Sequence, residues 1–147
     1  MLASTLFVAG TLTALAGYLG GNWFLDREGI GLALSDGVLR SMVGSGLYLA
    51  GLGLFAAGVG LLVRHTAAAL AVVLGLVFVV GNLVMVLPGA WGEWATKLMP
   101  GNAGSAIATP ESFNPLLLDP WVGFAVFVAE VAIVLALAAV TFSRRDA

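Results

Sequence analysis

The sequence contains no cysteine. That excludes disulfides, thiolate zinc sites and a cysteine nucleophile, and it leaves the redox compartment open. Charge is almost as scarce. Only 10% of the residues are Asp, Glu, Lys or Arg, where a soluble domain carries about 25%. Lys97 is the single lysine and His65 the single histidine. With one imidazole and no thiolate, a protein-only metal site would need a carboxylate cluster, and the acids are scattered. The net charge is −2 and no basic run is present, which argues against nucleic acid as a partner. The pattern G-x-x-x-x-G-K-[ST] is missing, so the chain cannot hydrolyse ATP through a P-loop of its own. Nor does any nucleophile, base and orienting group stand in a recognisable arrangement. The chain is therefore not expected to be an enzyme by itself.

What is abundant is apolar surface. The chain is 61% hydrophobic, with a mean hydropathy of +1.07. That leaves too little polar surface to cover a water-soluble globule, so the solvent must be lipid. A helix needs about 20 apolar residues to cross the hydrocarbon core. Four segments qualify: Met1–Leu25, Ser41–Val63, Thr66–Pro88 and Trp121–Phe142. Each run is continuously apolar rather than alternating, which selects helices over barrel strands. The expected fold is an all-α integral membrane protein in a single domain. No positive charge precedes the first span, and its apolar stretch outlasts a signal core, so it reads as a retained helix.

Orientation follows Lys and Arg. Arg64, Arg144 and Arg145 fall on one face, and Arg27, Arg40 and Lys97 on the other. The first three are far denser per loop residue, so both termini are expected in the cytoplasm. The connection from Gly89 to Pro120 is then external. Within it, Leu98 to Ile107 reads as a small, polar loop, and Asn102, Ser105 and Thr109 as ordinary loop chemistry. Trp91 and Trp94 are spaced to share one side of a helical turn, as in a short interfacial helix. Pro88, Pro100, Pro110, Pro115 and Pro120 prevent one long helix there. Asp119-Pro120 reads as N-cap and first position of the last span.

The second span carries two glycine series. Gly44, Gly51 and Gly58 recur every seven residues, and Gly46, Gly53 and Gly60 repeat the pattern two positions on. At about 100° per residue the two stripes lie about 200° apart. Small residues let helices approach closely in lipid, so this helix is expected to sit between two neighbours. Gly17 and Gly21 form a G-x-x-x-G in the first span, read as a further packing face.

Glu130 is the sharpest single residue. It lies near the middle of the last span, where an ionised carboxylate costs at least about 2.5–3.5 kcal/mol on insertion scales. It must be protonated, face water or find a partner, and Asn82 in the third span is the polar candidate. Either the two line a substrate path or Glu130 is hydrogen-bonded between helices. Arg64, His65 and Thr66 form a tight turn between the second and third spans, as a topology anchor with a helix cap or as contact with a partner.

Several pieces, in order, resemble the second half of a type-2 ABC transporter permease of the small bacterial exporter kind. Val38-Leu39-Arg40 leads into Val43-Gly44-Ser45-Gly46-Leu47-Tyr48-Leu49. Gly58 to Ala69 forms the corner between the second and third spans. Lys97-Leu98-Met99-Pro100-Gly101-Asn102-Ala103-Gly104 and Pro120-Trp121-Val122-Gly123-Phe124 follow, and Arg144-Arg145-Asp146-Ala147 ends the chain. The resemblance covers nearly the whole sequence and rests on order and spacing, not on any one piece.

The resemblance implies six membrane helices, of which these four would be the third to sixth, in a bacterial inner membrane with both termini cytoplasmic. It makes the insert a pair of short re-entrant helices. Trp91, Trp94 and Asn102 would belong to an external gate, and Arg64, His65 and Thr66 would approach a separate ATP-binding subunit. ATP and Mg would bind that partner, with no cofactor in this chain, and a second permease copy or homologue would complete the path. Two features depart from the pattern. The first two helices and their cytoplasmic connection are missing, and Glu130 stands where an apolar residue is expected. The competing readings are a small membrane enzyme, a proton-coupled carrier using Glu130, and an accessory subunit of a larger complex.

Overall fold

The computed structural model describes the chain except residues 31, 32, 64, 85, 87, 88, 111–116, 144–147 and the side chain of Thr66. Arg64, Arg144 and Arg145, which set the expected orientation, therefore lie outside the described residues, as do Pro88, Glu111 and Pro115. Four helices are long and apolar enough to cross a membrane: Leu2–Arg27, Asp36–Val63, Ala67–Val84 and Pro120–Ser143. The chain is an all-α, multi-pass membrane protein.

Helix α1 (Leu2–Arg27) ends where its chemistry dictates. Gly29 has φ 73°, a left-handed conformation that favours glycine. There the Gly29 and Ile30 N–H groups donate to the carbonyls of Asp26 and Leu25, which satisfies the last turn in a Schellman arrangement. Arg27 closes the same end by lying 3.8 Å over the Trp23 ring. Ser35 precedes α2 (Asp36–Val63), and its hydroxyl accepts from the Val38 N–H at 3.4 Å.

The third span is not a uniform helix. It runs as α3 (Thr66–Leu74), a π-helical stretch (Gly75–Val80) and α4 (Gly81–Val84). The insert contains two short helices, α5 (Ala90–Lys97) and α6 (Pro100–Ala108). The expected loop from Leu98 to Ile107 is thus mostly helix. Pro100 sits in the first turn of α6, where its missing N–H costs nothing. The glycines and serine of α6 have weak helix propensity, but tertiary burial overrides it. The last span, α7 (Pro120–Ser143), starts as the sequence indicates, because the Asp119 carboxylate accepts from the Trp121 N–H at 3.1 Å.

Helix α2 is the hub. It packs against α1, α3, α6 and α7. Its two glycine stripes face two sets of neighbours. A Cβ at Gly44 would collide with the Ile107 backbone of α6, and one at Gly51 or Gly58 with Phe127 or Val134 of α7. On the other stripe, a Cβ at Gly46 would meet Phe7 and Thr11 of α1, and one at Gly53 would meet Leu6. Gly60 looks toward Ala69 of α3 at 4.0 Å. The sandwich expected from the spacing is therefore present. By contrast, a Cβ at Gly17, Gly20 or Gly21 would meet nothing within 4 Å among the described residues. The G-x-x-x-G of α1 thus serves no contact among the described residues, while Gly10 makes the close crossing with Gly46.

The core lies where α2, α6 and α7 meet. Ala103, Ala106 and Ile107 of α6 and Phe127 of α7 are almost completely buried. The Phe127 ring fills the space left by Gly51 of α2 and Gly104 of α6, and it packs 5.4 Å from the Tyr48 ring. Helix α5 is different: Trp91 is 90% exposed and Trp94 59% exposed. These differences predict a measurable split in hydrogen exchange of the protein in lipid nanodiscs. Amides of Ala103–Ile107 should exchange about a hundredfold or more slowly than those of Glu93–Ala95, because a core element opens at higher free energy than an exposed one. Equal rates would contradict the placement of α6.

Candidate functional site

Glu130 lies just before the midpoint of α7 and is half-buried. Its side chain, with Ile133 and Val134 of the next turn, lines a cleft of about 300 Å³. Phe55 of α2 and Leu76 of the π-helical stretch form further walls. The turn between α5 and α6, Leu98-Met99-Pro100, borders the cleft as well. Four parts of the chain thus converge on one carboxyl group. Its Oε2 atom is buried and has no hydrogen-bond partner among the described residues.

The π-helical stretch shapes one wall. A π turn is wider than an α turn and places side chains out of the usual register, and such turns concentrate at functional sites. Here Val77 packs against Gly101 at the start of α6, where an added Cβ would lie 3.3 Å from it. Leu76 falls in the cleft. Glycines at 75 and 81 bracket the stretch, the only sequence signal for it.

The expected partner for Glu130 is elsewhere. Asn82 is exposed, its side-chain amide donates to the Phe78 carbonyl one turn back, and it is not a wall of the cleft. The structure does not bring Asn82 and Glu130 together. The reading of Glu130 as hydrogen-bonded between helices also lacks a partner for Oε2.

The residues proposed for the external gate divide into two kinds. Trp91 and Trp94 project from the surface of α5, with the Lys97 ammonium 5.5 Å over the Trp94 ring. Asn102 turns inward, and its amide donates to the Thr96 carbonyl at 2.9 Å, stapling α6 to α5. At the other corner, His65 is the N-cap position of α3, in extended backbone and without a side-chain capping bond. Arg64 and the Thr66 side chain lie outside the described residues.

Arg40 does more than mark one face of the membrane. Its Nη2 donates to the carbonyls of Thr109, at 3.1 Å, and Pro110, at 2.8 Å. This cation therefore caps the C-terminal end of α6, where the helix dipole places partial negative charge. The partners are far apart in sequence, so no local pattern could pair them. Tyr48 adds a second tie, with its hydroxyl donating to the Gly101 carbonyl at 3.3 Å. Arg40 and Tyr48 hold opposite ends of α6 against α2, with the Glu130 cleft at the N-terminal end.

No protein-family model, curated protein or solved structure matches the chain. What the fold itself defines is a class: a multi-pass helical membrane protein with a two-helix insert, one helix of which, α6, is built into its core.

Replacing Arg40 with Met removes two charge-assisted hydrogen bonds to α6, worth about 1.5–3 kcal/mol each at most. Thermal unfolding in detergent micelles should show a clear loss of stability for Arg40→Met and only partial recovery for Arg40→Lys, whose ammonium keeps the charge but reaches less far than Nη2. An unchanged midpoint for Arg40→Met would show that the clamp carries no weight.

Proposed function

We propose that the chain is a membrane-spanning permease subunit of an ATP-driven exporter in a bacterial inner membrane. Both termini would lie in the cytoplasm and the α5–α6 insert outside. The observation that carries this reading is the placement of α6. A nine-residue helix, tied at both ends by side chains of α2, is wedged between α2 and α7, two helices long enough to span a membrane. Broken helices are tolerated against spanning helices where they are buried in protein or line a path. The resemblance to type-2 ABC permeases supplies the reaction class. The sequence carries no P-loop, so ATP and Mg belong to a separate ATP-binding subunit in this proposal.

Alternating access would then arise as two permease units move about a shared path while the ATPase pair closes and opens. Most of α1 is exposed, Leu12, Leu19 and Phe24 included, and a Cβ at Gly17 or Gly21 would meet none of the described residues, which leaves room for a second permease copy or a homologue. The corner at His65 would face the ATPase. Trp91 and Trp94 would anchor the outer side at the lipid interface.

One observation favours a second reading. A Glu130 carboxyl in an apolar cleft, its Oε2 without a hydrogen-bond partner among the described residues, is also what a proton-coupled carrier would use. Energy source separates the two. Membranes carrying the tagged chain with its native neighbouring proteins, solubilised in mild detergent, should yield a P-loop ATPase in the same complex. Transport by that complex in liposomes should require ATP and survive collapse of the proton gradient. A complex without an ATPase, or transport that stops with the proton gradient alone, would overturn the exporter proposal.

A further inference from the structure

We infer that the cleft beside Glu130 is a binding subsite for lipophilic monocations, entered sideways from the bilayer. The inference rests on the reading of the chain as a transport subunit for its purpose, but its test requires neither ATP nor a partner. The walls are apolar, drawn from Phe55, Leu76, Met99 and Ile133, and the one ionisable group is the Glu130 carboxyl. Such a surface suits a ligand with hydrocarbon around a single charge. The sign of that charge follows from the carboxyl group, whose Oε2 has no hydrogen-bond partner among the described residues. An anion would be repelled, and a neutral ligand would leave the buried oxygen without compensation.

Among the described residues the cations are engaged elsewhere, Arg27 over the Trp23 ring. Lys97, next to the cleft in sequence, directs its ammonium at the Trp94 ring. Arg40 clamps the far end of α6. The Phe55 wall adds an aromatic ring, which favours onium ions over hydrated metal ions. Metal binding is disfavoured further, because no group of three acidic or imidazole side chains gathers among the described residues.

Size and access restrict the occupant. About 300 Å³ matches the lower end of small-molecule sites and is too small for a helix. Leu98 and Ile133, at its edge, are 43% and 60% exposed, so the mouth is apolar. A ligand already dissolved in lipid can enter there without crossing a polar barrier. The rival occupant is internal: the N-terminal turn of α6, at Met99 and Pro100, carries partial positive charge and borders the same cleft. If that turn alone satisfies Glu130, no external cation is needed.

The full chain in phosphatidylcholine nanodiscs, titrated with radiolabelled tetraphenylphosphonium, distinguishes these cases. Saturable binding is expected, weakened about tenfold or more in Glu130→Gln, a loss of one charge-assisted contact. Glu130→Asp, which keeps the charge, should bind more tightly than Glu130→Gln. On the unmodified chain, tetraphenylborate, of like shape and opposite charge, should not compete. That arm needs no variant to fold. Equal affinity in wild type and Glu130→Gln, competition by tetraphenylborate, or no saturable binding to the folded wild type would each overturn the inference. Binding by the isolated chain, together with a detergent-solubilised complex that holds no ATPase, would leave the inference standing and overturn the exporter proposal.

Discussion

Along α2 the backbone comes within contact distance of helices on two nearly opposite faces, and only glycine permits it. A Cβ on Gly46 would lie 2.6 Å from the Phe7 carbonyl, and one on Gly44 would strike the Ile107 backbone. Lipid supplies no hydrophobic driving force between helices, so association depends on how closely they pack. The two stripes therefore do what an apolar core does in a soluble protein. One seats α1, and the other seats α6 and α7. Remove the close approach on the second face, and the pocket for Phe127 between Gly51 and Gly104 is lost with it.

The position of α6 depends on that same face. Helix α6 is too short and too rich in glycine to stand alone, since isolated helices under about 12–15 residues are marginal. It is held by burial of Ala103, Ala106 and Ile107, by Arg40 at its C-terminal end and by Tyr48 near its start. With α6 so placed, its first turn meets the π-helical stretch and α7, and the space left between them is the Glu130 cleft. The cleft is thus a consequence of packing a short helix beside long ones. Its one carboxyl group is the feature that packing does not explain, and a ligand or a proton would.

The sequence revealed the parts of this fold that repeat locally. Four apolar runs marked the spans, Asp119-Pro120 marked the start of α7, and the seven-residue glycine spacing on α2 pointed to two neighbours. Trp91 and Trp94 were correctly placed on a common surface. What was hidden depends on contacts between distant residues. Leu98 to Ile107 looks like a loop because its glycines and proline disfavour a helix, and only burial between α2 and α7 reverses that. Arg40 had been weighed for orientation, although its partners are carbonyls of Thr109 and Pro110. Asn82 was paired with Glu130 because both are polar in apolar spans, yet position along a span does not decide which face a residue takes. The Gly17 and Gly21 pattern reads like the α2 stripes, but spacing alone does not say whether a neighbour stands against it, and none of the described residues does.

Stability of glycine-to-alanine variants tests the central role of α2 most directly. Alanine is the better helix former by about 0.5–1 kcal/mol, so Gly20→Ala in α1, where the added Cβ meets nothing, should leave stability unchanged or raise it. Gly44→Ala and Gly46→Ala force backbones apart and should each lower it, by about 1–3 kcal/mol. The measurement is reversible unfolding of the three variants in the same micelles. Opposite signs for α1 and α2 are the predicted result. Gly44→Ala and Gly46→Ala as stable as Gly20→Ala would contradict the account.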